Sequence, residues 1–235
     1  MSTPAAGAAA SLDPSEDPRQ LLWRQAQAAR AVSDWPQLER VLTQLLELAP
    51  DHAELLDLLG QALLMQGKPA QGCVVLQKAL LAGNRSFWTP HKLGDAHWAL
   101  QCPEAAVEAF EQALAWGSDS PLTSRNLLEV LHAGSETAAI ERLERFAAAE
   151  PPPWNWQAPA PWLEGACAAA LRVQGPALAA WLQGHGCPDP AVRALVWRHH
   201  LFRLDLDGVL AVLAGSSDGL EQELAERLDR LLDPG

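Results

Sequence analysis

From Arg19 onward, apolar residues recur at three- and four-residue spacing in short runs, and turn-forming residues interrupt the runs. That period stacks apolar side chains on one face of a helix, and the interruptions mark where each helix stops. The pattern predicts a succession of short amphipathic helices. Residues 1–18, rich in Ala, Ser, Pro and Asp, lack the pattern and are expected to form a disordered leader.

The helical pattern repeats. Sliding the chain against itself by 34 residues lays Leu59-Gly60 on Leu93-Gly94 and then on Leu127-Leu128, Ala62 on Ala96, Pro69 on Pro103, and Ala79-Leu80 on Ala113-Leu114. Backwards, Gly60 meets Ala26 and Leu80 meets Leu46. Deleting one residue near Ser135 keeps a further unit in register, with Leu143 under Phe110 and Pro151 where Pro50 closes the first unit. A small residue midway along the first helix (Ala26, Gly60, Gly94) lets the second helix approach closely. A large apolar residue in the second helix (Leu42, Leu76, Phe110, Leu143) fills space between units. Pro69 and Pro103 fall in a first helical turn, where the missing N–H costs nothing. Pro50 and Pro151 end helices, because the residue before a proline resists the α conformation.

These columns resemble the tetratricopeptide repeat, a 34-residue helix–turn–helix. The resemblance spans residues 19–151 as about four units and is strongest over 53–86 and 87–120. It departs from the family where a first-helix Trp is replaced by Leu56 and Pro90, and a Tyr by Leu63 and His97. It implies an all-α, right-handed α-solenoid of helical hairpins with a divergent C-terminal helical region. It further implies that the first helices line a concave groove for extended peptides or partner helices.

The register fails after Pro151. The segment PPPWNWQAPAPW cannot be a helix interior and is expected to cross between subdomains, with Trp154 and Trp156 as packing anchors. Helices are predicted again at about 160–173, 176–184, 189–204, 206–214 and 218–232. Residues 152–235 thus read as divergent hairpins or capping helices, and LEQELAERLDRLLD has the polar composition of a cap.

Composition narrows the function. The formal charge of −12 and only three lysines disfavour nucleic acid and an anionic membrane surface as partners. The N-terminus lacks the basic and apolar regions of a signal peptide, and no apolar stretch is long enough to span a bilayer, so a cytoplasmic protein is expected. Cys73, Cys102, Cys167 and Cys187 are scattered without a CxxC pair, the pattern of reduced thiols and not of a zinc site or disulfide framework.

Projecting the first helices gives Trp23, Gln27 and Arg30, then Asp57, Gln61 and Leu64, on one face of the first two units. The third and fourth units carry the expected partner-binding set: Trp88, His91, Lys92, Asp95, Trp98, Arg125, Asn126 and Glu129. The tryptophans offer apolar contact, and Lys92, Arg125 and Asn126 offer donors to a peptide carbonyl or carboxylate. By the resemblance, Asn126 matches backbone-gripping asparagines of some relatives. The basic clamp of the co-chaperone members is missing, since Trp23, Gln27 and Leu58 stand at its positions. His91 and Asp95 share a helix face without the three or four converging ligands of a metal site. No nucleophile elbow, phosphate loop or dinucleotide motif occurs. The expectation is a non-enzymatic protein or peptide binder with no metal and no cofactor. The alternatives are a self-associating homo-oligomer that builds an assembly, or an accessory subunit of an enzyme system.

Overall fold

The computed structural model describes residues 17–149, 155–203, 205–214, 216 and 218–232. Among them, all regular structure is helical. Two compact units divide the chain at Arg85/Ser86. The first holds α1 (Pro18–Ala31), α2 (Trp35–Leu48), α3 (Ala53–Met65) and α4 (Pro69–Leu81). The second holds α5 (Trp88–Ala99), α6 (Pro103–Ala115), α7 (Pro121–Gly134), α8 (Glu136–Ala149), α9 (Pro161–Val173), α10 (Pro176–Gly184), α11 (Pro190–Phe202), α12 (Leu206–Leu213) and α13 (Gly219–Leu232). No helix among the described residues is long and apolar enough to cross a membrane.

The repeat in the sequence is a repeat in the packing. Leu42, Leu76, Phe110 and Leu143 are each 0 % exposed. A Cβ added to Gly60 would stand 2.4 Å from Leu76 Cγ, and one added to Gly94 would stand 2.5 Å from Phe110 Cε1. The small column is therefore the seat of the large column within the same hairpin. Phe110 also clusters with Leu127 and Val130 of α7, so it fills the gap to the next hairpin as well. Burying such a side chain contributes roughly 1.5–3 kcal/mol.

The turns repeat too. Ser33, Gly67 and Gln101 all adopt left-handed backbone, with φ of 56°, 71° and 59°. Each lets the next residue's N–H reach back to a helix carbonyl at 2.9 Å: Asp34 to Ala29, Lys68 to Leu63, and Cys102 to His97. This closes the first helix of each hairpin and satisfies a carbonyl at its end. Proline then starts the next helix at Pro69 and Pro103. In the fourth hairpin the three-residue turns of 32–34, 66–68 and 100–102 shrink to Ser135 alone, which is extended at φ −165°. The turn is two residues shorter and α7 runs one residue further, to Gly134, which together make the one-residue deletion that the sequence register requires.

α1 starts at Pro18, inside the expected leader, because Asp17 caps it by accepting from Arg19 N–H at 2.9 Å. The rest of the leader lies outside the described residues, as do Pro151 and Trp154. Trp156 does act as an anchor: it packs against the large core of the second unit and donates from Nε1 to His185 O at 3.1 Å. That core runs without a break from Leu128, Ala139 and Leu143 through Trp162 and Leu163 to Leu178, Leu182, Val192 and Val212. α9 lies close against α7 because Gly165 has no side chain. A Cβ there would meet Ser124 Oγ at 2.0 Å and Pro121 O at 2.5 Å. Ser124 instead donates to Pro161 O at 3.3 Å.

Candidate functional site

Three first helices of the second unit (α5, α7 and α9) are tied to one another by side chains in a line. His91 and Asp95 lie one turn apart on α5, and Thr123, Arg125, Asn126 and Glu129 lie on α7. Asn126 Nδ2 donates to Asp95 Oδ1 at 2.7 Å, joining α5 to α7. Arg125 donates from Nε and Nη2 to Asn126 Oδ1 at 3.0 and 2.8 Å, a fork that orients the amide. Arg125 Nε is also 3.3 Å from Glu129 Oε1, and Arg172 Nε of α9 is 3.2 Å from Glu129 Oε2. The close approach at Gly165 is what brings α9 near enough for this last pairing.

His91 sits beneath the line, 5 % exposed, and not on the open face expected of it. Its Nδ1 is 2.9 Å from Thr123 Oγ1, which is 2.8 Å from Ser118 Oγ, while its Nε2 is 3.5 Å from Asp95 Oδ2. The tautomer that satisfies both sides carries the proton on Nε2 and accepts from Thr123. The ring meets Trp88 and Phe110 edge-on, with centroids 5.2 and 5.5 Å away. The physical reason for its burial is that Thr123, in the first turn of α7, and Ser118, in the connection before it, supply a polar chain that lets an imidazole be buried with a partner.

The electrostatics follow from this layering. Burial, helped by the charges of Lys92 and Arg125, holds the His91 pKa down at about 4, so the ring is neutral at pH 7. Burial pushes Asp95 up to about 6, opposed by the Asn126 hydrogen bond and by Arg125. The Asp95 side chain is nevertheless 42 % exposed, so water screens much of that effect. Burial also raises Glu129, against the pull of Arg172 and Arg125. Glu129 Oε1 is buried without a hydrogen-bond partner, and the charge of Arg125 lies 3.3 Å from it.

The remaining expected residues divide. Trp88 is 38 % exposed at the start of α5, tilted against Phe87 with centroids 5.0 Å apart. Trp98 is half-buried and packs on the cluster of Ala106, Phe110, Leu127 and Val130, so much of its surface serves the hairpin. Lys92 is half-buried. Asn126 already engages both neighbours, leaving the second N–H of its amide. Leu122, 43 % exposed at the first turn of α7, adds apolar surface. Arg172 was not among the expected residues. The Pro/Trp segment inserts before α9 and breaks the 34-residue register, so no column of the repeat pointed to it. Thr123 and Ser118 were missed because short hydroxyl residues near a helix start read simply as capping residues.

No family model matches the sequence, and no curated protein matches it. Solved structures do. A crystal structure of MamA protein superposes with a TM-score of 0.53 at 20 % identity, covering 81 % of this chain and 91 % of that one. A second MamA structure gives 0.51 at 19 % identity over 68 % of this chain and 91 % of that one. A tetratricopeptide repeat protein from Parabacteroides merdae covers 89 % of this chain and 98 % of that one at 11 % identity, with a TM-score of 0.49. At such identities the two MamA superpositions establish fold alone and leave function to the site.

Proposed function

We propose that this chain, which has the tetratricopeptide-type helical-repeat fold, is a non-enzymatic protein-interaction module that receives a peptide or helix of a partner on the face made by α5, α7 and α9. The observation that carries the reading is the side-chain line Asp95–Asn126–Arg125–Glu129–Arg172, which spans three helices on a part-exposed face. A set of long polar side chains held by one another loses less rotamer freedom on binding than a loose set does, which favours association. Trp88 and Leu122 supply apolar contact at the N-terminal end of this face. Lys92, Arg125 and Arg172 supply donors suited to backbone carbonyls or a carboxylate, and Arg and Trp are the residues most enriched among binding hot spots. His91 acts from below, positioning Asp95 and supporting Trp88.

Site-specific photo-crosslinking tests the placement. With benzoylphenylalanine at Leu122, a partner protein is captured in the cells that make this chain. The same probe at Phe202, which is 88 % exposed on α11, captures it weakly. Equal capture from both positions argues against this face.

A further inference from the structure

The turn that ends α10 delivers a cysteine to another cysteine. Gly186 is left-handed at φ 81°, and Cys187 N–H donates to Leu182 O at 3.0 Å, so the chain doubles back toward α9. Pro188 and Pro190 then limit the conformations open to the segment before α11. The result places Cys187 Sγ 3.7 Å from Cys167 Sγ on α9, although 20 residues separate them. Both are free thiols. Both line one cleft of about 600 Å³, walled by Trp156, Leu163, Leu171 and Pro188. Cys187 is 8 % exposed and Cys167 is half-buried. The hydrogen bond between the two sulfurs lowers the Cys187 pKa against the effect of burial and, together with burial, raises that of Cys167, which favours Cys187 as the thiolate of the pair.

We propose that Cys167 and Cys187 form a reversible redox site whose substrate is a small peroxide and whose product is an intramolecular disulfide. Cys187, as thiolate, attacks one oxygen of hydrogen peroxide. The S–O bond forms as the O–O bond breaks, and the departing hydroxide takes up a proton to become water. Cys187 is now a sulfenic acid. Cys167 gives up its proton to the leaving hydroxyl and attacks the Cys187 sulfur, so the S–S bond forms, the S–O bond breaks and a second water departs. Two thiols have lost two electrons and two protons, and one peroxide has become two waters. The sulfurs close from 3.7 Å to the disulfide length of about 2.05 Å. A peroxide suits the site better than a disulfide oxidant. Exchange with a disulfide needs a second, leaving sulfur in line with the attack, and a sulfur only 8 % exposed is met more readily by a two-oxygen molecule than by that larger group. The product bond tethers α9 to the α10–α11 turn with α10 enclosed between them.

The other two thiols provide internal controls: Cys73 is buried on α4 and Cys102 is exposed before α6. The reduced full-length chain is treated with hydrogen peroxide, blocked with N-ethylmaleimide, and digested without reductant for peptide mass analysis. The expected product is a monomeric chain with a 167–187 cross-link that dithiothreitol reverses. Its yield should be at least about tenfold higher than in the same chain oxidised in urea, because the fold supplies the proximity. In C167S the reaction should stop at a Cys187 sulfenic acid that dimedone labels, and C102S should still form the cross-link. A native yield no higher than the unfolded yield, or oxidation confined to Cys102 and intermolecular dimers, overturns the proposal. The wild-type comparison decides the matter even if a serine variant folds poorly. It is also independent of whether α5, α7 and α9 bind a partner.

Discussion

Gly94 lacks a Cβ because the ring of Phe110 occupies the space, 2.5 Å from where that atom would stand. Phe110 is rigid and 0 % exposed, so it has nowhere to retreat. Gly94→Ala is therefore expected to lower unfolding free energy by about 1–3 kcal/mol in urea titrations, through forced displacement of the ring. The His91–Asp95 pair beside it, one side chain buried and the other part-exposed, makes a pH prediction. His91 has a pKa of about 4 in the folded chain against 6.5 ordinarily, so between those values the unfolded chain binds the extra proton and stability rises with pH. Asp95 works the other way. Its pKa of about 6 lies above the ordinary 3.8, so the folded chain holds the extra proton and stability falls as pH rises across that window. The two slopes oppose each other, and the better-buried His91 dominates. Measured from pH 4 to 6, wild-type stability relative to His91→Gln should climb, and relative to Asp95→Asn should decline. A flat difference for His91→Gln would show that its burial is not as the structure has it.

At the level of helices and turns, the 34-residue period carried most of the information. It marked the helices of the first three hairpins, the prolines that open α4 and α6, and the shortened turn at Ser135. Left-handed backbone at 33, 67 and 101 was hidden, because only Gly67 is a glycine while Ser33 and Gln101 adopt the same conformation under the demand of the hairpin. Gly67→Ala should cost about 1 kcal/mol through its positive φ, with open space around it and no clash, as thermal or urea unfolding would show. Gly165→Ala should act differently. Its Cβ would meet Ser124 Oγ and the Pro121 carbonyl, so α9 must move away from α7. The expected outcome is a destabilisation larger than that of Gly67→Ala, together with loss of the Arg172–Glu129 pairing. Equal effects of the two substitutions would contradict the close approach.

For the molecule as a whole, an all-helical repeat protein was legible because repetition multiplies a weak local signal. The candidate face was legible only in part. Trp88, Lys92, Asp95, Arg125, Asn126 and Glu129 were proposed because the repeat projects them onto one helical face, and Asp95, Asn126, Arg125 and Glu129 are joined side chain to side chain in the structure. His91 was placed outward by the same projection, but the structure turns it inward, where Thr123 can bond it. Arg172 and the Cys167–Cys187 pair depend on how the chain returns after the Pro/Trp segment, and spacing alone does not report that. The central claim is that the α5–α7–α9 face binds a protein segment without being part of the core. The most direct measurement is fluorescence anisotropy with a peptide selected on the wild-type chain from a random library, repeated on the double variant Trp88→Ala/Arg125→Ala. The account predicts at least about a tenfold rise in Kd, equivalent to about 1.4 kcal/mol. It also predicts nearly unchanged helical circular dichroism and melting temperature, and no effect of Leu81→Ala/Phe202→Ala, which removes residues that are each 88 % exposed. Unaltered affinity in the Trp88/Arg125 variant, or its unfolding, would contradict the account.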